Sequence, residues 1–249
     1  MRQLVLAVAL LFAVPTAHGQ DLSLQSDLVN WHKLMPGSAE THEIPIRNTS
    51  TKEIRVKVEV VNYLFGVDRD GYENSHDRSL NGHLKPLARE VRIPPKGRRV
   101  VEYRVQMPSN AKKGSYWSML LISSVPENNG DSGGISLQQK YQFGVNIIST
   151  SSGEVNLESK NIRVSNDKLH VTIKNTGEVS VRPKLTLEGY REDGGEEQVE
   201  GSQHLLHPNT SVRTTFNVSE FEPGSYTGAL IFEGRSETYG LRINFQIPE

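Results

Sequence analysis

The phrase "IRNTSTKEIRVKVEVV", beginning at Ile46, returns as "IKNTGEVSVRPKLTLEG" at Ile173. Each copy sets a basic-Asn-Thr turn among apolar residues that alternate with polar ones, and a period of two is the pattern of a strand with one buried face. The likeness runs well past the phrase. "IPIRNTSTKEIRVKVEVVNYLFGVDRDGYE" is matched by "VTIKNTGEVSVRPKLTLEGYREDGGEE", and "IPPKGRRVVEYRVQMPSNAKKGSYWSMLLI" by "LLHPNTSVRTTFNVSEFEPGSYTGALIF". Both halves run strand, Asn-Thr turn, strand, Asp-Gly turn, a Pro-led strand, then Gly-Ser-Tyr entering an apolar strand. Duplication on this scale is far longer than a solenoid repeat and points to two domains of one architecture.

The same alternation recurs at Ile54, Val56, Val58 and Val60, at Met119 and Leu121, and at Leu169, Val171 and Ile173. Turn signals separate these runs at Pro36-Gly37, Asp70-Gly71, Pro95 to Gly97, Gly194-Gly195 and Pro223-Gly224. Beyond the N-terminal segment nothing sustains a helical apolar period, so the fold class is all-β. About seven short strands per 100 residues, with turns every 8 to 12, fit two tandem immunoglobulin-like β-sandwich domains. Tyr116 and Tyr226, in the paired Gly-Ser-Tyr motifs, fall where such sandwiches place a corner tyrosine. The expected domains are 20–149 and 154–249, divided in the polar stretch "STSSGE".

"MRQLVLAVALLFAVPTAHGQ" has one Arg, an apolar run from Leu4 to Val14 and a small-x-small end, and reads as a secretory signal peptide, residues 1–19, cut near Gly19. The run is shorter than the roughly 20 residues of a membrane span, and no later segment reaches that length. The expectation is an exported protein, periplasmic, with the extracellular space or cell surface as the alternative. With no cysteine in the chain, disulfides, thiolate metal sites and a Cys nucleophile are all excluded. A net charge of -1, from 28 basic and 29 acidic residues, supplies no field for nucleic acid or an anionic membrane. Asn48, Asn209 and Asn217 stand in N-x-Ser/Thr triplets, which arise often by chance in such sequences.

One strand differs from the rest. "ENNGDSGG", after Pro126, has the composition of a mobile loop, and it feeds "ISLQQKYQFGVNII". There Ile135, Leu137, Tyr141, Phe143, Val145 and Ile147 share one face, with Gln139 interrupting and Lys140 on the face opposite. At roughly 3.3 Å per residue the strand would exceed about 40 Å, against about 17–20 Å for an ordinary one. It is either the long last strand of the first sandwich or a strand lent to a partner, whose backbone would supply affinity and whose alternate side chains would fill the partner's groove.

Two Ig-like domains behind a signal peptide, the Pro-Lys-Gly or Pro-Gly turn before the fifth strand, and a polar loop before a long alternating strand resemble the periplasmic pilus-assembly chaperones. The resemblance implies that the strand lends apolar side chains to an incomplete pilus or other envelope subunit, completing its sandwich. The partner-binding residues it implies are Ile135, Leu137, Lys140, Tyr141 and Phe143, while Val145 and Ile147 stay in the chain's own core. The family anchors the subunit's terminal carboxylate with an Arg on the first strand and a Lys on the long one. Lys140 lies near the second place, but the presumed first strand, "LSLQSDLVNW", has no Arg. A second resemblance, carried by "IRNTSTKEIRVKVEVV" with "DRDGYENS" and by "IPPKGRRVVEYRVQMP" with "KKGSYWSMLLI", is to the paired Ig-like domains of Gram-positive surface proteins that work with WxL-domain partners. It implies a cell-surface or cell-wall adhesion module contacting peptidoglycan or a surface protein.

Catalytic and metal chemistry find little support in the motifs. "DRDGYEN", Asp68 to Asn74, opens like a calcium loop but lacks the later ligands, so a plain Asp-Gly hairpin is the simpler reading. "HLLH", His204 to His207, separates its imidazoles by three residues, which puts them on opposite faces of a strand. Neither G-x-S-x-G, H-E-x-x-H nor a phosphate-cradling Gly loop occurs. Trp31 and Trp117 could be sugar-stacking platforms, although a Trp within "SYWSMLLI" is more often a core residue. A non-enzymatic binding protein without cofactor, metal, nucleic-acid partner or membrane span is therefore expected.

Overall fold

The computed structural model describes residues 21–64, 71–73, 76–125, 138–149, 153–233 and 238–248. The described residues of the first half form β1 (Leu22–Leu24), β2 (Val29–Leu34), β3 (Ala39–Asn48), β4 (Ile54–Leu64), β5 (Gly71–Glu73), β6 (Leu84–Pro86), β7 (Glu90–Ile93), β8 (Arg98–Gln106), β9 (Ser115–Val125) and β10 (Lys140–Ser149). The second half supplies β11 (Leu157–Ser165), β12 (Lys168–Asn175), β13 (Lys184–Arg191), β14 (Glu196–Glu200), β15 (Ser211–Asn217), β16 (Gly224–Glu233) and β17 (Thr238–Ile247). Among the described residues there is no helix, and hence none long and apolar enough to cross a membrane.

Each half is two sheets packed face to face, as one-sided apolar alternation requires. In the first half the order β1-β3-β8-β6 faces β2-β10-β9-β4-β5, with β7 also on β4; in the second, β11-β12-β15 faces β14-β13-β16-β17. Two separate cores result. One joins Ile44, Ile46, Val101 and Tyr103 to Val56, Leu120, Phe143 and Val145, and the other joins Leu169, Val171 and Phe216 to Leu187, Leu230, Phe232 and Ile243. The all-β fold of two Ig-like sandwiches expected from the alternation is the one observed.

The repeated Asn is a buried staple in both halves. Asn48 accepts from the Ser50 amide at 2.8 Å and donates from Nδ2 to the carbonyls of Lys52, Ile93 and Pro94. Asn175 accepts from the Gly177 amide at 2.9 Å and donates to the carbonyls of Val179 and Leu206. Both side chains are fully buried, and both tie the turn after one strand to a distant segment. The amide of Asn48 is thus committed inside the fold and is closed to a glycan. The paired tyrosines also act alike: the Tyr116 hydroxyl accepts from the Lys112 amide, and the Tyr226 hydroxyl donates to the Glu222 carbonyl, each four residues upstream.

The first strand departs from the single run that "LSLQSDLVNW" suggests. It breaks at Gln25–Leu28 and changes sheet: β1 pairs antiparallel with β3, and β2 pairs parallel with β10. The polar Ser26-Asp27 interrupts the alternation, which lets the chain cross from one sheet edge to the other.

Candidate functional site

β10 is the strand singled out by the sequence. Along its whole length it pairs antiparallel with β9, from Lys140 opposite Ser123 to Ile148 opposite Ser115. On its other edge β2 accompanies it only from Gly144 to Ser149. The backbone of Gln139 faces β9, since its carbonyl accepts from the Ser124 amide and its amide donates to Ser124 Oγ. Strand alternation therefore turns the N–H and C=O of Lys140 to the opposite edge, ahead of the point where β2 joins.

The side chains sort by the same alternation. Phe143, Val145 and Ile147 are buried in the first core, Phe143 meeting Tyr103 edge to face at 5.9 Å between ring centres. Tyr141 is half-buried, and its hydroxyl donates to the Leu22 carbonyl at 2.5 Å while accepting from Gln139 Nε2. Gln139 Oε1 in turn accepts from the Leu22 amide at 2.9 Å, so the apparent interruption of the apolar face clasps β1. Lys140 is exposed on the outward face, as its phase requires. Ile135 and Leu137 lie outside the described residues, as does all of "ENNGDSGG". The described part of β10 is 10 residues long, no longer than β4 or β9 at 11 each, so any excess length rests on those upstream residues.

The outward face of β10 and β9 ends against the second half. Gly114, at φ +97°, lets the chain pass so close to Glu178 that a Cβ there would come within 2.0 Å of its carbonyl oxygen. Next to it, the Ser115 amide donates to the Glu178 carbonyl at 2.8 Å and Ser115 Oγ accepts from the Ser180 amide at 2.8 Å. Trp117 lies sandwiched, with His207 of the second half on one side at 4.1 Å and an interplanar angle of 3°, and with His76 at 4.3 Å. The expectation that Trp117 is a packing residue fits this placement, because it is buried between the two halves.

Beside this stack is a shallow groove lined by Leu28, Val29, Met119, Gln142, Gly144 and Asn146, with Trp117 and His207 at its end. Neither Arg nor Lys is among the described residues that line it, and burial, with His76 nearby adding to it, pushes His207 down to about 3. The groove therefore presents no cation to a carboxylate near neutral pH. Ser180 Oγ and His207 Nδ1 are 2.9 Å apart, the spacing of a nucleophile and its base, but both residues are buried and so weak a base cannot activate a hydroxyl. This pair is structural. His204 is only half-buried whereas His207 is buried, and in "HLLH" just Leu206 makes a bridge, to Val181. Asp68–Asp70 lies outside the described residues.

Two groups escaped the sequence reading. Trp117 and His207 meet across the two halves with no local signal to join them. The other group, His32, Glu40 and His42, gathers three metal-ligating side chains at the mouth of the first sandwich. Its signal was present in "ETHEIPI", where Glu40 and His42 fall in phase with the core residues Ile44 and Ile46.

No family model and no curated protein matches the sequence. Among solved structures, the chain is similar to the Pseudomonas aeruginosa CupB2 chaperone, at 10% identity and a TM-score of 0.47, over 89% of this chain and 100% of that one. It is similar to the Escherichia coli chaperone DraB at 11% identity and a TM-score of 0.47, over 92% and 98%. A chain from the complex of Salmonella enterica SafA pilin with the SafB chaperone matches at 10% identity and a TM-score of 0.49, over 89% and 96%.

Proposed function

We propose that the protein is a non-enzymatic, chaperone-like binding protein of the cell envelope that adds the upstream part of β10 to an incomplete partner subunit of the pilin type. The observation that carries this reading is the half-accompanied strand. β9 holds β10 throughout, β2 joins it only at Gly144, and the Lys140 backbone N–H and C=O are turned to the edge that β2 has not reached. An edge of this kind accepts another strand through main-chain hydrogen bonds. In this reading Ile135 and Leu137 supply side chains to the partner, Lys140 supplies backbone pairing, and Tyr141 and Phe143 hold the strand by their anchorage in the first sandwich. The groove without Arg or Lys argues that a partner's terminal carboxylate is not its main anchor. The protein acts in the periplasm, to which the N-terminal segment would direct it.

Two variants test the proposal. Lys140→Pro removes an N–H that faces away from β9, so it spares that ladder while blocking an added strand. Leu137→Asp removes an apolar contact with the partner. Each should abolish co-purification of envelope subunits while leaving the circular dichroism and thermal midpoint of the isolated protein unchanged. Undiminished co-purification with both variants would refute strand addition; if the purified first half then bound peptidoglycan, the adhesion-module reading would replace it.

A further inference from the structure

At the mouth of the first sandwich the apolar phase of β3 continues in polar residues. Ile46 and Ile44 point into the core, and the next two inward positions are His42 and Glu40. His42 stands opposite Tyr103 of β8 in the register of that sheet. From the facing sheet β2 brings His32, two residues before the buried Leu34. The turn Met35–Ser38 connects the two strands, closed by the Ser38 amide and Oγ on the Met35 carbonyl. Two imidazoles and a carboxylate thus converge from opposite sheets where hydrophobic side chains would otherwise close the sandwich.

Their geometry is poorly explained as a hydrogen-bonded cluster. The two imidazole rings lie face to face, 3.8 Å between centres and 29° between planes. His42 Nε2 is shielded from solvent and 3.1 Å from Glu40 Oε2, close enough for an ion pair but without the geometry of a hydrogen bond. A buried nitrogen left so is costly, and it is a rare arrangement unless something else occupies its lone pair. His32 Nε2 is held 3.0 Å from the Tyr103 hydroxyl, a partner of the kind that fixes the ring and tautomer of a ligating imidazole. One donor atom from each of His32, Glu40 and His42 lies within 4.8 Å of the others. Around a tetrahedral zinc ion, bonds of about 2.0–2.2 Å place donors roughly 3.3 Å apart, so closing on a cation requires side-chain movements of about 1 Å or slightly more.

We propose that His32, His42 and Glu40 form a site for a divalent first-row transition metal that favours imidazole, of the zinc and copper type, clipping β2 of one sheet to β3 of the other. Two neutral nitrogens and one carboxylate suit such ions, whereas calcium and magnesium require a shell of oxygens.

The test is calorimetric titration of the chelator-treated full chain with Zn2+ at pH 7.5, with Mg2+ and Ca2+ as controls. One equivalent of Zn2+ should bind, Mg2+ and Ca2+ should not, and the thermal midpoint should rise with Zn2+. The His32→Ala/His42→Ala double variant should lose at least 100-fold in affinity. Because that variant removes two inward-facing rings, Glu40→Gln, at an exposed position, provides a second measure and should weaken binding about 10-fold with the fold intact. In the wild type, bound Cu2+ should show electron-paramagnetic coupling to two imidazole nitrogens. Zinc binding of equal strength in wild type and Glu40→Gln, a copper signal without two nitrogens, or no stoichiometric zinc binding would each overturn the proposal.

Discussion

Lowering the pH should unlock the junction between the two halves through His207. This ring is fully buried, stacked on Trp117 at 4.1 Å, and its Nδ1 is 2.9 Å from Ser180 Oγ. Burial first, and His76 second, hold its folded-state pKa at about 3, against an ordinary imidazole value of 6.5. The folded value is the lower one, so between pH 6.5 and 3 the unfolded chain binds the proton that the folded chain refuses. Stability is complete above pH 6.5 and declines as the pH falls through that window, at about 1.4 kcal/mol per pH unit, or about 3 kcal/mol by pH 4.5. That is a large share of the roughly 5–15 kcal/mol that holds a typical domain folded. Urea unfolding followed by tryptophan fluorescence at pH 7.5, 6.5, 5.5 and 4.5 measures it, with His207→Phe as the reference. Phenylalanine preserves a flat ring on Trp117 and loses the Ser180 bond, a pH-independent cost of about 1 kcal/mol. Carboxylates and the other histidines titrate in both proteins and cancel. Wild type should lose about 3 kcal/mol more than the variant between pH 7.5 and 4.5. Parallel profiles would show that the imidazole takes up its proton without leaving the stack, and the reasoning would fail.

Three substitutions probe the framework directly. Asn48→Ala and Asn175→Ala should each cost about 2–4 kcal/mol, because each strands at least two backbone carbonyls that the amide now serves; a lower urea midpoint at unchanged slope would register it. Gly114→Ala should destabilise the protein by about 2 kcal/mol or more, since a Cβ would strike the Glu178 carbonyl in a backbone conformation unfavourable to any side chain. Calorimetry should then resolve separate transitions for the two halves, and X-ray scattering should show a more extended particle.

The architecture was legible because sandwich strands write their burial into a period of two. Val56 and Val58, and Leu169, Val171 and Ile173, all lie buried in the phase in which they were read, whereas on β9 the core takes Leu120 and Ile122 in place of the Met119 and Leu121 phase. The inward phase of Phe143, Val145 and Ile147 was visible in the same way. Less visible was anything that depends on which strand lies beside which. Gln139 looks like a defect in an apolar face until the Leu22 backbone is placed next to it. His32 and His42 are separated by a turn that carries the chain from one sheet to the facing one, so no reading of a single strand could bring them together. His207 and Trp117 come from different halves, and neither neighbourhood predicts the other.

The duplication supplies an internal comparison that helps separate framework from function. The buried Asn, the corner tyrosine and the two-sheet core occur in both halves, so they answer the common demands of the fold. The two opening strands behave differently. β11 bends at an irregularity between Lys160 and Arg163, where Asn161 has φ 52°, yet its ladder remains with β12 throughout. In the first half the corresponding run breaks outright, and β2 is carried across to lie parallel to β10. That break brings His32 opposite His42, and the limited reach of β2 leaves the Lys140 backbone facing outward. Both proposals therefore depend on one local difference between two otherwise similar sandwiches, the polar interruption at Ser26-Asp27. A metal clip at His32 would hold β2 in place along the downstream half of β10, steadying the strand whose upstream half is proposed to pair with a partner.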